Sequence, residues 1–247
     1  MDVTSEESVN AAKQSVEKFF DENNIKGLWA LINNAGVCIF GEFDWLTINQ
    51  CERQVKVNLF GTILVTKKFL DSLIKTKGRV INIGSVNGIS AYPGVAVYSA
   101  TKFGVNGFSD ALRYELKKLG VKVIMINPGD FARVTKIMDQ HKANAEQMWS
   151  NMDLRKHKMY DDYFKEYQNK VLANCGLTSP SRIEDTSFLK DIEEAVYGVN
   201  PRNNIISATL PCRYFFLFLS ILTTNGKHIV LDLLLKYVLR FDAKKYF

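Results

Sequence analysis

The stretch Arg79-Val80-Ile81-Asn82-Ile83-Gly84, followed at once by Ser85-Val-Asn-Gly-Ile-Ser-Ala-Tyr-Pro-Gly-Val-Ala-Val-Tyr98-Ser-Ala-Thr-Lys102, decides the fold. The first six residues are short, apolar and rich in β-branched side chains, as a buried strand is. Ser85 therefore sits where a strand ends, the edge at which open α/β sheets place ligands. Tyr98 opens a helical pattern running to Leu119, which puts Tyr98 and Lys102 one turn apart on one helix face. A phenol is a poor acid–base catalyst at neutral pH, with a pKa near ~10. An ammonium one turn away is expected to stabilise the phenolate, and a nearby serine hydroxyl can hold a substrate oxygen. Such a set protonates a carbonyl or deprotonates an alcohol while a hydride moves, and the hydride requires a carrier.

Three more motifs stand in order with this one: Asn33-Asn34-Ala35-Gly36 after the apolar run Leu28–Ile32, Asn58 in Val57-Asn58-Leu59-Phe60-Gly61, and Asn127-Pro128-Gly129 after the run Val121–Ile126. Together with Ser85 and Tyr98-Ser-Ala-Thr-Lys102 they resemble the short-chain dehydrogenases/reductases, in the branch of the 3-hydroxybutyrate, retinol and 17β-hydroxysteroid dehydrogenases. A second Tyr-x-x-x-Lys, Tyr114 with Lys118, has no strand-end serine ahead of it and reads as solvated surface.

The resemblance implies Tyr98 as general acid–base, and Lys102 as the residue that lowers its pKa and binds the nicotinamide ribose. It implies Ser85 as the residue orienting the substrate oxygen and Asn58 as holder of a proton-relay water. It places Asp2 beside the adenine, Asn33 and Gly36 along the cofactor, and Pro128 and Gly129 beside the nicotinamide. The cofactor is then NAD or NADP, and the substrate a small-molecule alcohol or carbonyl, either lipophilic like a steroid or retinoid or a 3-hydroxy acid. A homodimer through the two long helices is also implied. So is a mitochondrial or endoplasmic-reticulum setting, with peripheral membrane contact. Thr135 is a weaker candidate for the carboxamide, because Arg133 stands where many members have threonine. Read without the family, Asp2 is equally a frayed terminus, Asn58 a buried amide satisfying backbone, and the Pro-Gly pair an ordinary turn.

The expected architecture is an α/β, doubly wound, Rossmann-like parallel sheet, N-terminally truncated relative to the family. Its members normally begin with a strand, a glycine-rich turn and a helix that hold the pyrophosphate. The first glycine here is Gly27, and the resemblance begins at the end of the family's third strand. The expectation is a piece of a longer gene product or a defective isoform. On the latter alternative the chain dimerises without binding dinucleotide. The acidic or basic residue that selects NAD or NADP falls outside what the chain offers.

One domain is expected over residues 1–247: a core over 1–129, a substrate lid over 130–200, and a last strand with an apolar segment over 201–247. With 247 residues, 47% hydrophobic and 23% charged, the chain can bury an ordinary core. The net charge of +6 is scattered and comes with no RNA motif or zinc spacing, so no nucleic-acid partner is expected. Cys38, Cys51, Cys175 and Cys212 form no close pair, and the three histidines lie far apart; neither a disulfide framework nor a metal site is expected.

At finer scale, Thr4 with Glu7 and Thr47 with Gln50 are capping-box patterns. The second predicts one helix to Lys77, stopped by Gly78. The aromatics between Trp149 and Phe164 read as pocket wall or as lid core. Asn204–Ala208 reads as an edge strand. The run Tyr214–Leu222, with Ile229–Phe241 and its Lys236 and Arg240, reads as a membrane-surface anchor, a pocket wall or core; the first run is too short to span a bilayer.

Overall fold

A computed structural model describes residues 1–129, 131, 135–174 and 186–233. Arg133, Cys175, Lys236 and Arg240, named above, lie outside the described residues. Four strands, β1 (Ala30–Asn33), β2 (Arg79–Ile83), β3 (Lys122–Pro128) and β4 (Asn204–Ser207), form one parallel sheet in that order. Asn33 pairs with Asn82 and Asn82 with Met125, so the carboxyl ends of the first three strands line up at one edge.

The two faces of the sheet follow from strand alternation. Val80 and Val123 pack on one face against Leu73, Leu112 and Leu116, from helices α3 (Gly61–Thr76) and α4 (Ala96–Lys117). Ile81, Ile124 and Ile126 pack on the other, beneath Ala195 of a later helix. Helices on both faces of a parallel sheet make this the doubly wound α/β class. Among the described residues β1 has only β2 as a neighbour, and Trp29 and Ile32 beside it are 47% and 41% exposed.

The first helix, α1 (Glu6–Glu22), is capped by Ser5, whose Oγ accepts from the Ser8 amide, and not by Thr4 as its pattern predicts. Thr4 is already engaged, because its amide and hydroxyl both donate to Asp2 Oδ1. The capping box at Thr47 and Gln50 forms as expected and starts α2 (Ile48–Val55). The single helix predicted from there is interrupted by a π-turn, Lys56–Phe60, before α3 begins. Lys77, not Gly78, takes the left-handed conformation that ends α3, with φ 51°. Gly78 is needed for a different reason: a Cβ there would strike the carbonyl oxygens of Leu28 and Trp29.

Beyond β3 come α5 (His141–Ser150), α6 (Leu154–Asn174) and α7 (Thr186–Tyr197), the last lying over the sheet with Ala195. The aromatics of α6 form core: Tyr160, Tyr163, Phe164 and Tyr167 surround Trp45 edge-on, with ring centroids 5.0–5.6 Å away. After β4, α8 (Leu210–Ile221) buries Phe216 and Leu219 but exposes Tyr214, Leu217, Phe218 and Ile221; α9 (Thr224–Leu233) follows. Among the described residues no helix is long and apolar enough to cross a membrane.

Candidate active site

Ser85, Tyr98 and Lys102 converge at the carboxyl edge of β2. β2 ends at Ile83, and Ser85 begins a 3-10 turn, Val86–Gly88, by accepting from the Asn87 amide with its own Oγ. Tyr98 lies in the first turn of α4 and Lys102 one turn later; all three side chains are buried. The Ser85 side chain is within hydrogen-bonding reach of the Tyr98 hydroxyl. Lys102 Nζ lies 5.7 Å from the Tyr98 ring centroid and donates to the Ile83 carbonyl at 3.0 Å.

The electrostatics differ from the sequence expectation, in which the ammonium lowers the phenol's pKa. Burial pushes the Tyr98 phenol well above its ordinary value, the Cys38 thiol adds to that, and only the Ser85 hydrogen bond pulls back. Lys102 is itself pushed down to about 8, by burial above all, with Cys38 acting the other way. Taking both groups out of water penalises their charged forms. The ammonium donates one of its hydrogens to a strand carbonyl.

The other expected residues divide. Gly36 stands over the amine: a Cβ there would sit 3.7 Å from Lys102 Nζ. Asn58 is buried in the π-turn and bonds the chain on both sides. Its Oδ1 accepts from the Val37 amide, and its Nδ2 donates to the Val37 carbonyl and to Thr101 Oγ1. These bonds are the ones the structural alternative among the readings of Asn58 calls for; its Oδ1 keeps a second lone pair. Asn33 donates to Thr66 Oγ1 and Asn82 Oδ1, both at 2.8 Å. It ties strand to helix at the carboxyl end of β1. Pro128 closes β3, so the predicted turn starts one residue later than its motif implies. Gly129 packs on Ala208, where a Cβ would come within 2.9 Å. Asp2 is turned toward Thr4 and is far along the chain from the three central residues. Thr135 Oγ1 donates to the Phe131 carbonyl on the surface.

A cavity of about 230 Å³ is lined by Gly36, Cys38, Arg53, Ile137, Gln140 and others. Cys38 belongs with Tyr98 to one buried cluster, against which Ile137 packs. Sequence reasoning missed Arg53, whose guanidinium donates to Gln140 Oε1 at 2.7 Å, and Gln50, whose Nε2 donates to the Asn144 carbonyl at 3.0 Å. These bonds join α2 to α5 across the cavity. Gln50 carried a local signal only, that of a cap; its contact with α5 lies 94 residues away.

The family model described as short chain dehydrogenase matches residues 1–146. The chain belongs to the short-chain dehydrogenase family. It is 38% identical over 206 residues to the mitochondrial D-beta-hydroxybutyrate dehydrogenase of Rattus norvegicus, covering 81% of this chain and 58% of that protein. It is 35% identical over 227 residues to the 17-beta-hydroxysteroid dehydrogenase type 6 of Bos taurus, covering 91% and 69%. A short-chain dehydrogenase structure from Streptomyces avermitilis shares the fold, with a TM-score of 0.62 and 18% identity over 96% of this chain and 76% of that one. The chain spans little more than half the length of the first of these relatives. Members of the family are NAD(P)-dependent oxidoreductases.

The residues present fit the nicotinamide half of such a cofactor. Gly36 leaves the Lys102 amine uncovered by a side chain, and the ends of β1, β2 and β3 leave a common edge above it. The pyrophosphate half has no matching cradle among the described residues. The helix N-terminus nearest the chain start, that of α1, carries Glu6 and Glu7 in its first turn, which disfavour an anion.

Proposed function

We propose that this chain carries the alcohol–carbonyl site of an NAD(P)-dependent oxidoreductase, with Tyr98 as the proton-exchanging group. The observation that carries this is the buried Tyr98 hydroxyl within reach of Ser85, at a sheet edge and in one cluster with Cys38, which lines a cavity. A nicotinamide cofactor, when bound, supplies or accepts the hydride. Lys102 and Tyr98 are the residues that would hold its ribose. Ser85 donates to the substrate oxygen, and Tyr98 Oη passes its proton to that oxygen during reduction or takes it during oxidation. The raised pKa keeps the phenol protonated at neutral pH, the form that can give its proton to a carbonyl oxygen.

Arg53 and Lys136 in the cavity wall face only Asp139 as a countercharge among its described lining residues. That excess favours a short hydroxy or keto acid over a neutral steroid or retinoid. Exposed Val55 and Phe60 on the second helical segment and Phe103 on α4 support pairing of two copies through these helices. The exposed apolar side of α8 supports contact with a membrane surface.

The test is reduction of NAD or NADP by the purified chain with 3-hydroxybutyrate, a 3-hydroxysteroid and retinol as alternative substrates, alongside NADH and NADPH fluorescence titration. Turnover with the acid is the expected result. The acidic first turn of α1 favours a second reading, a chain that pairs with another copy and binds no dinucleotide. Failure of both coenzymes to bind at millimolar concentration would select it.

A further inference from the structure

Ser85 does not hold its own position. Two carboxamides, Asn106 on α4 and Asn127 of the Asn127-Pro128-Gly129 motif on β3, tie its turn to that helix. Asn127, buried at the end of β3, accepts the Ser85 amide with Oδ1 at 3.1 Å. The same Oδ1 lies 3.4 Å from Asn106 Nδ2, and Asn127 Nδ2 donates back to Asn106 Oδ1 at 3.3 Å. Asn106 Nδ2 also donates to the Lys102 carbonyl at 3.0 Å and to the Gly88 carbonyl at 3.2 Å. The pair therefore grips the serine turn at both ends, Ser85 and Gly88, and fastens it to the helix at Lys102, one turn below Asn106.

The glycines around the pair show how close this approach is. A Cβ on Gly84 would collide with Asn127 Oδ1 and with Met125 Cε, and a Cβ on Gly88 with Asn106 Nδ2 and the Lys102 carbonyl. Only a carboxamide presents an acceptor and two donors on one short, flat group. Aspartate at 127 keeps the Ser85 contact but has no donor for Asn106. Aspartate at 106 sets a carboxylate against two carbonyls.

We propose that Asn106 and Asn127 are positioning residues that fix the Ser85 hydroxyl relative to Tyr98 and Lys102, so that their loss slows the chemical step and leaves binding intact. This rests on the reading that Ser85 and Tyr98 handle the substrate oxygen. A displacement of about 1 Å in such a group costs on the order of a hundredfold in rate.

The experiment compares Asn127→Ala, Asn127→Asp, Asn106→Ser and the double variant N106S/N127A. Each is measured for kcat, KM and NADH affinity, and by ¹⁹F NMR of 3-fluorotyrosine-labelled protein, with the Tyr98 signal assigned through Tyr98→Phe. The expected result is a kcat lowered about ten- to a hundredfold by Asn127→Ala, with KM and NADH affinity within about twofold. Asn127→Asp should recover part of the loss, and the double variant should lose no more than the worse single one, because the two amides act as a unit. The Tyr98 resonance should move in every variant that loses rate. An unchanged Tyr98 resonance together with an unchanged kcat in Asn127→Ala would overturn the proposal. So would a rate loss that follows melting temperature across the set, since a merely structural role predicts that. The NMR arm does not need turnover. If wild type itself is inactive, the functional reading fails, while a moved or unmoved Tyr98 signal still decides the bracket. Asn106→Ser, at a half-buried position, serves if Asn127→Ala does not fold.

Discussion

Two buried polar clusters lie within this sheet and its helices, and burial treats them in opposite ways. The first crosses the middle of the sheet. Thr66 on α3, Asn33 on β1, Asn82 on β2 and Ser109 on α4 are joined at 2.8 Å each, and both ends close on helix carbonyls, Thr62 and Val105. It holds no charge, and its bonds run unbroken from helix to helix. The second, Ser85 with Tyr98 and Lys102, is equally buried, yet its phenol is driven up in pKa and its amine down. Polar burial that is fully paired fixes a scaffold. Polar burial that leaves titratable groups displaced from their ordinary values stores the capacity to move a proton.

The largest effect that separates the two is on rate. Tyr98→Phe should lower turnover by about 10²–10⁴-fold and shift the unfolding midpoint little, because the ring stays in place. Steady-state assays and a denaturant titration on the same sample measure both quantities; a variant with normal turnover would remove Tyr98 from the chemistry.

In the scaffold the signs reverse. Asn82→Ala strands the Asn33 amide and the Ser109 hydroxyl inside the sheet, so unfolding free energy should fall by about 2–4 kcal/mol. If urea denaturation shows a loss under ~0.5 kcal/mol, the mid-sheet cluster is not a scaffold in the sense used here.

The third effect is pH-dependent. Lys102 has its folded pKa lowered to about 8 from 10.5. Between those values the unfolded chain binds more protons than the folded one, so stability rises with pH through this window. The penalty of burying the charge is present in full below pH 8 and is relieved above it. Tyr98, with its pKa raised, opposes the trend once pH passes the ordinary phenol value of 10. A gain on the order of 1–2 kcal/mol between pH 8 and 10 is expected, and it should vanish in Lys102→Met. A flat profile in wild type would contradict the assigned burial of the amine.

The smallest effect is at the edge of the scaffold. Thr66→Val keeps the shape and removes one hydroxyl, which accepts from Asn33 and donates to Thr62. A melt should show a loss of about 1 kcal/mol, with no change in any kinetic constant.

The sheet and its edge were legible because their signals are local. The β-branched run before Ser85, the four-residue spacing of Tyr98 and Lys102, and the Thr47–Gln50 cap each lie within one element. What escaped depends on distance or on environment. Trp45 becomes the centre of an aromatic core only when α6, more than a hundred residues on, brings its four rings to it. Asn127 stands in a motif whose proline and glycine drew the attention, and its partner Asn106 has no periodic or spacing signal. The phenol's pKa could not be foreseen either: a lysine four residues away says that a cation is near, but not that burial raises the phenol's pKa. The π-turn is invisible to a helical periodicity that runs through it without interruption.

That π-turn has a mechanical consequence. An extra residue in one turn rotates everything after it by roughly a hundred degrees about the axis. The rod before Lys56 can therefore point Gln50 and Gln54 at α5 and the Ile39 loop, while the rod after Phe60 points Val65, Phe69 and Leu73 at the core beneath. One continuous helix serves two clients that a regular one would have to serve with the same stripe. Deleting a single residue between Lys56 and Phe60 would set those two allegiances against each other.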